Sequence, residues 1–255
     1  MNKKVIYTCL VGNYDDLLQP LVVDDSFDYI CFSNDIKEEK IGVWQIRPIP
    51  YENKDKARLS RFVKILPHKA LGDYDWSLWI DANIQITGSK LYDILDEKVR
   101  LGDIIYQVNH CDPPRDCIYD EMRVAYLCGR SDFKNTFLHY IHLRKQHFPT
   151  HWGLFENNVI FRKHSDSLVT EISEKWWHEF CHFTKRDQFS LMFVYWKLNY
   201  LPSLLFFENE SARKVDFLSY FEHKVKTEDY SFCGMLFYYF RRVLSISFDI
   251  IACIV

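Results

Sequence analysis

Short apolar runs closed by turn-forming residues alternate along this chain with longer stretches of helical period, and that alternation restricts the fold more than any other feature. Residues 5–11 (VIYTCLV) stop at Gly12-Asn13, and residues 28–35 (DYICFSND) and 42–49 (GVWQIRPI) also end in polar loops. Runs this short and this rich in β-branched residues predict strands buried on both faces, as in a parallel sheet. Further strands are expected over 75–86, 102–110 and, after a turn at Gly153, 156–164. Between them helices are expected over 54–71, 90–99, 115–127, 132–147, 165–183 and 187–199. In the first, Leu59, Phe62, Val63 and Leu66 share an apolar face while Arg58, Arg61 and Lys64 form a basic one. Such alternation, without internal repeats, predicts an α/β domain with a mainly parallel central sheet flanked by helices and a ligand crevice at the carboxyl ends of the strands.

At 255 residues and 48% hydrophobic content, the chain can bury a full core. We expect a single domain over 1–205 and a C-terminal extension over 206–255. A net charge of -3 leaves no basic footprint for nucleic acid. Eight cysteines without a C-x-x-C pair point to a reducing, cytoplasmic compartment. No small-residue cleavage site follows the apolar start, so no signal peptide is expected. The final stretch, GMLFYYFRRVLSISFDIIACIV, is interrupted by Arg241, Arg242 and Asp249 and is too broken to span a bilayer. It either packs on the domain or lies on the inner face of a membrane with its arginines toward anionic headgroups.

The stretch WSLWIDANIQI, residues 76–86, is apolar except around Asp81 and Asn83. An ionised carboxylate in a buried strand is costly unless it is paired, hydrogen-bonded or bound to a cation. Alternate strand residues share a face, so both side chains can address one cation, and carboxylate and amide oxygens suit Mg2+ or Mn2+. The plainer alternative is a strand-end aspartate that caps a loop.

The segments RLSRFVKILPHKAL, LWIDANIQI, NHCDPPRDCIYDE and GLFENNVIFRKH, followed by TKRDQFSLMFVYWKLN, resemble the TOD/MUCI-type glycosyltransferase domain family. LWIDANIQI in particular is similar to the strand carrying the D-x-D motif of GT-A glycosyltransferases. The likeness covers roughly residues 5–200. It implies a GT-A (Rossmann-like) fold that moves a sugar from a nucleotide diphosphate sugar, expected to be a UDP-sugar, to a hydroxyl of a glycan or lipid-linked glycan. Surface polysaccharide or glycolipid synthesis is the expected setting, with possible peripheral membrane contact. It also implies Mn2+ or Mg2+ on Asp81 and Asn83, with His223 as the further ligand that a weak amide donor calls for. Thr8, Gly12, Asn13 and Tyr14 match the nucleotide loop. Arg58, Arg61, Lys64, Asp81 and Arg115 are the remaining donor contacts, although a solvated helix face is the plainer reading of the three basic residues on the helix. His110 is a candidate proton carrier or sugar ligand, and Glu156 a contact to sugar hydroxyls or to a positively charged transition state. Asp187 and Gln188 are similar to a pair beside the reacting sugar in retaining enzymes, which implies retention; Asp187 could equally cap its helix.

On the expected helix 165–183, His178, Cys181 and His182 have spacing that permits zinc, but no second ligand pair is visible. Two other functions stay open. A hydrolase of the ceramidase type, described for members of the family, needs a nucleophile or zinc set that the sequence lacks. A non-catalytic nucleotide-sugar-binding protein would fit a decayed D-x-D.

Overall fold

The computed structural model describes residues 3–224 and 232–252. Its first elements are β1 (Lys4–Cys9), β2 (Phe27–Phe32), β3 (Lys40–Ile41), β4 (Trp44–Arg47), α1 (Lys56–Ile65) and α2 (Pro67–Ala70). They are followed by β5 (Trp76–Ile80), β6 (Ile84–Ile86), α3 (Lys90–Leu101), β7 (Ile105–Asn109), α4 (Ile118–Leu127) and α5 (Phe133–Lys145). The rest are β8 (Phe155–Arg162), α6 (Ser167–His182), α7 (Gln188–Lys197), β9 (Ser203–Leu204), β10 (Leu218–Tyr220) and α8 (Phe232–Ala252).

Eight strands form one sheet in the order β3-β4-β2-β1-β5-β8-β7-β9. The pairs β4–β2, β2–β1, β1–β5 and β7–β9 are parallel, and β8 runs antiparallel between β5 and β7. This is the expected α/β domain with a mainly parallel sheet and helices on both faces. The pleat divides each strand between two cores. Val5 and Tyr7 join one core with residues of α1, α4, α6 and α7, whereas Ile6 and Leu10 join the other with residues of α3. Phe206, Val215, Phe217 and Leu218 complete that second core, so residues 206–220 pack as part of the domain's body.

The strand expected over 75–86 is instead two. β5 ends at Ile80; the Asp81 amide still donates to Asn158 O at 2.9 Å, and then the Ile84 amide turns back onto Asp81 O at 2.9 Å. β6 leaves the sheet and pairs antiparallel with β10. Similarly, α4 begins at Ile118 rather than Arg115, because Cys111 and Pro114 bridge and the Arg115 amide donates to His110 O at 3.1 Å.

α8 lies on α4 and α5, with Phe248 packed among Tyr126, Phe133, Phe137 and Tyr140. The opposite side of this helix exposes Tyr239, Val243, Ile246 and Ile250. No helix among the described residues is long and apolar enough to cross a membrane. Cys9, Cys31, Cys111, Cys117, Cys128 and Cys181 are free thiols; Cys253 lies outside the described residues, as does the side chain of Cys233.

Candidate active site

Asp81 is delivered to the carboxyl edge of the sheet by a fully buried strand, and its surroundings explain how an apolar run tolerates it. Its Oδ1 accepts from Trp79 Nε1 at 2.7 Å and lies 3.3 Å from Lys64 Nζ. Lys64, from the last turn of α1, is 2% exposed and also reaches Asp187 Oδ2 at 2.6 Å. Arg61, one turn earlier, stands 3.5 Å from Asp187 Oδ1. Three segments remote in sequence therefore converge in one chain of alternating charge, Asp81–Lys64–Asp187–Arg61. The α1 end that presents Lys64 is fixed from below: Arg162 donates to the Lys64 carbonyl and, at 2.8 Å, to Tyr7 Oη.

Burial alone would raise the Asp187 carboxyl, but the charges of Lys64, Arg61 and Arg186 and the hydrogen bond from Lys64 reverse this and hold it well below the usual carboxylate range. Asp187 makes no side-chain cap to α7, so the capping alternative is replaced by this ion pairing. Gln188 faces the strand, donating Nε2 to Phe155 O. Arg186 extends the network, with its guanidinium 3.7 Å from Glu121, which also receives Arg115. Burial lowers the Arg186 pKa, while Asp187 and Glu121 oppose that shift. Arg58 turns away: it donates to Cys181 O at 3.0 Å at the end of α6.

The loop after β1 forms the next wall. Gly12 and Asn13 both take positive φ, at 73° and 58°, and the Gly12 amide donates to Asp35 at 2.6 Å. A side chain at Gly12 would collide with Lys56 from the start of α1. Thr8 is buried with its hydroxyl unpaired, and it lines a small cleft with Asp81, Ala82 and Trp44. The peptide after β10 lies across this loop. His223 sits against the Tyr14 ring at 4.8 Å, and its Nδ1 is 2.9 Å from Asp15. Asn83 anchors the same peptide, with Nδ2 donating to Phe221 O at 2.7 Å and its own carbonyl accepting the Phe221 amide at 2.8 Å.

His110 and Glu156 form a second cluster at the same edge, reached from β7 and β8. Glu156 is buried, and it accepts from Ser211 Oγ at 2.7 Å and from Asn158 Nδ2 at 3.0 Å. His110 is also buried, with Nδ1 3.0 Å from Pro113 O. Burial lowers its pKa, opposed by the negative charges of Glu121 and Glu156. Trp79, Asn158, Arg186 and Ser211 were not singled out from the sequence. Arg186 adjoins Asp187 and could have been suspected, whereas nothing local marks Ser211.

The chain turns at 81–84, so strand alternation does not set Asp81 and Asn83 on one face, but their oxygens are of the donor type that Mn2+ or Mg2+ takes. Because Asn83 Nδ2 is committed to Phe221, its Oδ1 is oriented away from that bond and is buried without a hydrogen-bond partner. With the Asp81 carboxylate it offers hard donors of the kind these ions prefer. On α6, by contrast, His182 Nδ1 is occupied by His178 O at 2.7 Å, and among the described residues no trio of His, Cys, Asp or Glu with metal-ligand spacing includes His178, Cys181 or His182.

A family model described as TOD1/MUCI70, glycosyltransferase-like domain, matches residues 1–223. Among solved structures, the apo form of the bifunctional glycosyltransferase WbbM is 10% identical with a TM-score of 0.45, and the alignment covers 80% of this chain and 38% of that one. The apo form of mouse xyloside xylosyltransferase 1 is 7% identical with a TM-score of 0.42, covering 80% of this chain and 84% of that one. No curated protein matches the chain.

Proposed function

Since this chain belongs to the TOD1/MUCI70 glycosyltransferase-like domain family, we propose that it transfers a sugar from a nucleotide diphosphate sugar, a UDP-sugar first among the candidates, to a hydroxyl of a glycan or lipid-linked glycan. The observation that carries this reading is the sharing of Lys64 between Asp81 and Asp187 at the carboxyl edge of the sheet. Leaving-group departure builds negative charge on the diphosphate, and prearranged cations stabilise that charge without reorganising as it forms. Arg61 and Lys64 are the groups assigned to it. The nucleotide is assigned to the Gly12–Tyr14 loop and Thr8. Glu156 and His110 are assigned to the sugar and to the incoming hydroxyl.

Mn2+ or Mg2+, held by Asp81 and Asn83, would supply further charge stabilisation to the diphosphate. His223, proposed as the further metal ligand, stands beside the nucleotide loop against Tyr14 and Asp15. Retention of configuration is proposed on the Asp187-Gln188 pair, and the product anomer identified by NMR tests it. The apolar outer stripe of α8 supports contact with the inner membrane face, where a lipid-linked acceptor would reside. Cosedimentation with anionic vesicles, lost on substituting Val243 and Ile246 by Asp, tests that contact.

The deciding experiment assays donor hydrolysis and transfer over a panel of nucleotide sugars, with and without Mn2+. Donor-dependent transfer is expected. Lipid cleavage without a donor would establish the hydrolase instead, and binding without turnover would establish a sugar-nucleotide-binding protein.

A further inference from the structure

The first turn of α4 and the loop between α5 and β8 bring together side chains of mixed ligand type, outside the network around Asp81. The Sγ of Cys117, a carboxylate oxygen of Asp120 and a ring nitrogen of His151 lie within 4.8 Å of one another, the only such trio of His, Cys, Asp or Glu among the described residues. Sulfur, imidazole and carboxylate at this spacing need small side-chain adjustments to reach the ~2.0–2.3 Å bonds of tetrahedral zinc. A carboxylate is already in place behind the imidazole: Asp116 Oδ1 is 2.8 Å from His151 Nδ1, which leaves Nε2 as the free ligand atom. Zinc-bound histidines are oriented by such a partner. The loop is also tied to the same residue through its backbone, with the Gly153 amide donating to Asp116 O at 2.9 Å. A helix N-terminus disfavours a bare cation. Here a thiolate and the Asp120 carboxylate would bring two negative charges to it.

We propose that Cys117, Asp120 and His151 bind Zn2+, with Asp116 orienting His151 and water completing the coordination. Thiolate and imidazole select zinc over the hard cations suited to Asp81 and Asn83, so the two sites draw on different metals. On binding, the Cys117 thiol releases its proton to solvent as the sulfur–zinc bond forms. The consequence is positional. The same first turn of α4 carries Glu121, the carboxylate that receives Arg115 and stands 3.7 Å from Arg186, next to Asp187 in the chain. Zinc would fasten this turn to the 147–153 loop and steady the outer end of the charged network.

The test uses the full chain stripped with a chelator, titrated with Zn2+ by calorimetry and loaded in parallel with Co2+ for absorption spectroscopy. A single Zn2+ per chain and a thiolate-to-cobalt charge-transfer band are expected. Cys117→Ser should lose the band. His151→Ala, at an exposed position of positive φ (54°) where circular dichroism checks that the fold is kept, should weaken zinc by about tenfold or more, and Asp116→Asn by ~10–100-fold. His182→Ala should bind as the wild type does. Absence of stoichiometric zinc, a cobalt spectrum without the thiolate band, unchanged affinity in His151→Ala, or loss of binding in His182→Ala would each overturn the assignment.

Discussion

Asp187 and Glu156 are both buried at the carboxyl edge of the same sheet, yet they are held in opposite ways. Asp187 sits between two cations, Lys64 at 2.6 Å and Arg61 at 3.5 Å. Glu156 is held by neutral donors, the Ser211 hydroxyl and the Asn158 amide. Cations cancel a carboxylate's charge, while neutral donors satisfy its lone pairs and leave its field acting on neighbours. His110 feels the charges of Glu121 and Glu156, which oppose the effect of burial on its pKa. One half of the edge thus holds its carboxylate between cations, and the other keeps one on neutral donors, with Arg115 and Arg213 adding positive charge around His110. Such a division suits a reaction in which a diphosphate gains negative charge while the sugar it leaves becomes positive.

The sharpest way to break the comparison is to neutralise each carboxylate. Asp187→Ala removes the closer partner of a lysine that is 2% exposed, and we expect a loss of ~3–5 kcal/mol in urea denaturation. Glu156→Gln, which keeps the shape and changes one acceptor into a donor, should cost about 1–3 kcal/mol. Equal losses would mean that cations and neutral donors do the same job. Asp81→Ala leaves Lys64 paired with Asp187 but takes the acceptor from the buried Trp79 indole, so it should cost about 1–3 kcal/mol of stability while kcat/KM falls by ~10²–10³-fold. Full transfer by this variant would remove Asp81 from the chemistry.

A pH dependence separates the compensated edge from two histidines buried elsewhere. Burial pushes His139 down to about 3, and burial, countered in part by the Leu71 carbonyl, takes His164 to about 4. Between those values and the ordinary histidine value near 6.5, the unfolded chain binds protons that the folded chain refuses, so stability rises with pH. Denaturation midpoints measured from pH 7 to 5 should therefore fall on acidification, approaching about 1.4 kcal/mol per pH unit for each histidine. A flat profile would contradict their buried neutral state. Asp187 contributes nothing in this window: its depressed carboxyl stabilises the fold above the unfolded carboxylate value and loses that effect only at lower pH. Smallest of all, Arg58→Ala should cost about 1 kcal/mol for its bond to Cys181 and leave donor KM unchanged. A raised donor KM would return Arg58 to the diphosphate.

The strands were legible because a strand buried on both faces is largely apolar, as VIY in β1 and YICF in β2 are; β8, buried along its whole length, shows this only at Val159–Phe161 and carries Glu156, Asn157, Asn158 and Arg162 besides. Direction is not written in such a run, and nothing in FENNVIFR announces that β8 is antiparallel. Ile84 and Ile86 continue the apolar pattern of β5 although they belong to another sheet, so the break at Asp81 was hidden. Asp81 itself was conspicuous as a charge in the wrong place. Its partner was not, because Lys64 lies on a helix where basic residues usually face water, and only folding brings Asp187 to it. Ser211 was beyond reach for the same reason: its relation to Glu156 exists only once residues 206–220 close the second core.

The bond between Asn83 and Phe221 also sets an order of events during synthesis. The motif leaves the ribosome early, but its amide has no partner until residue 221 has followed, 138 positions later. Nascent chains can pair β1, β2 and β5 well before that moment. They cannot yet hold Asn83, close β6 against β10, or lay His223 beside Tyr14.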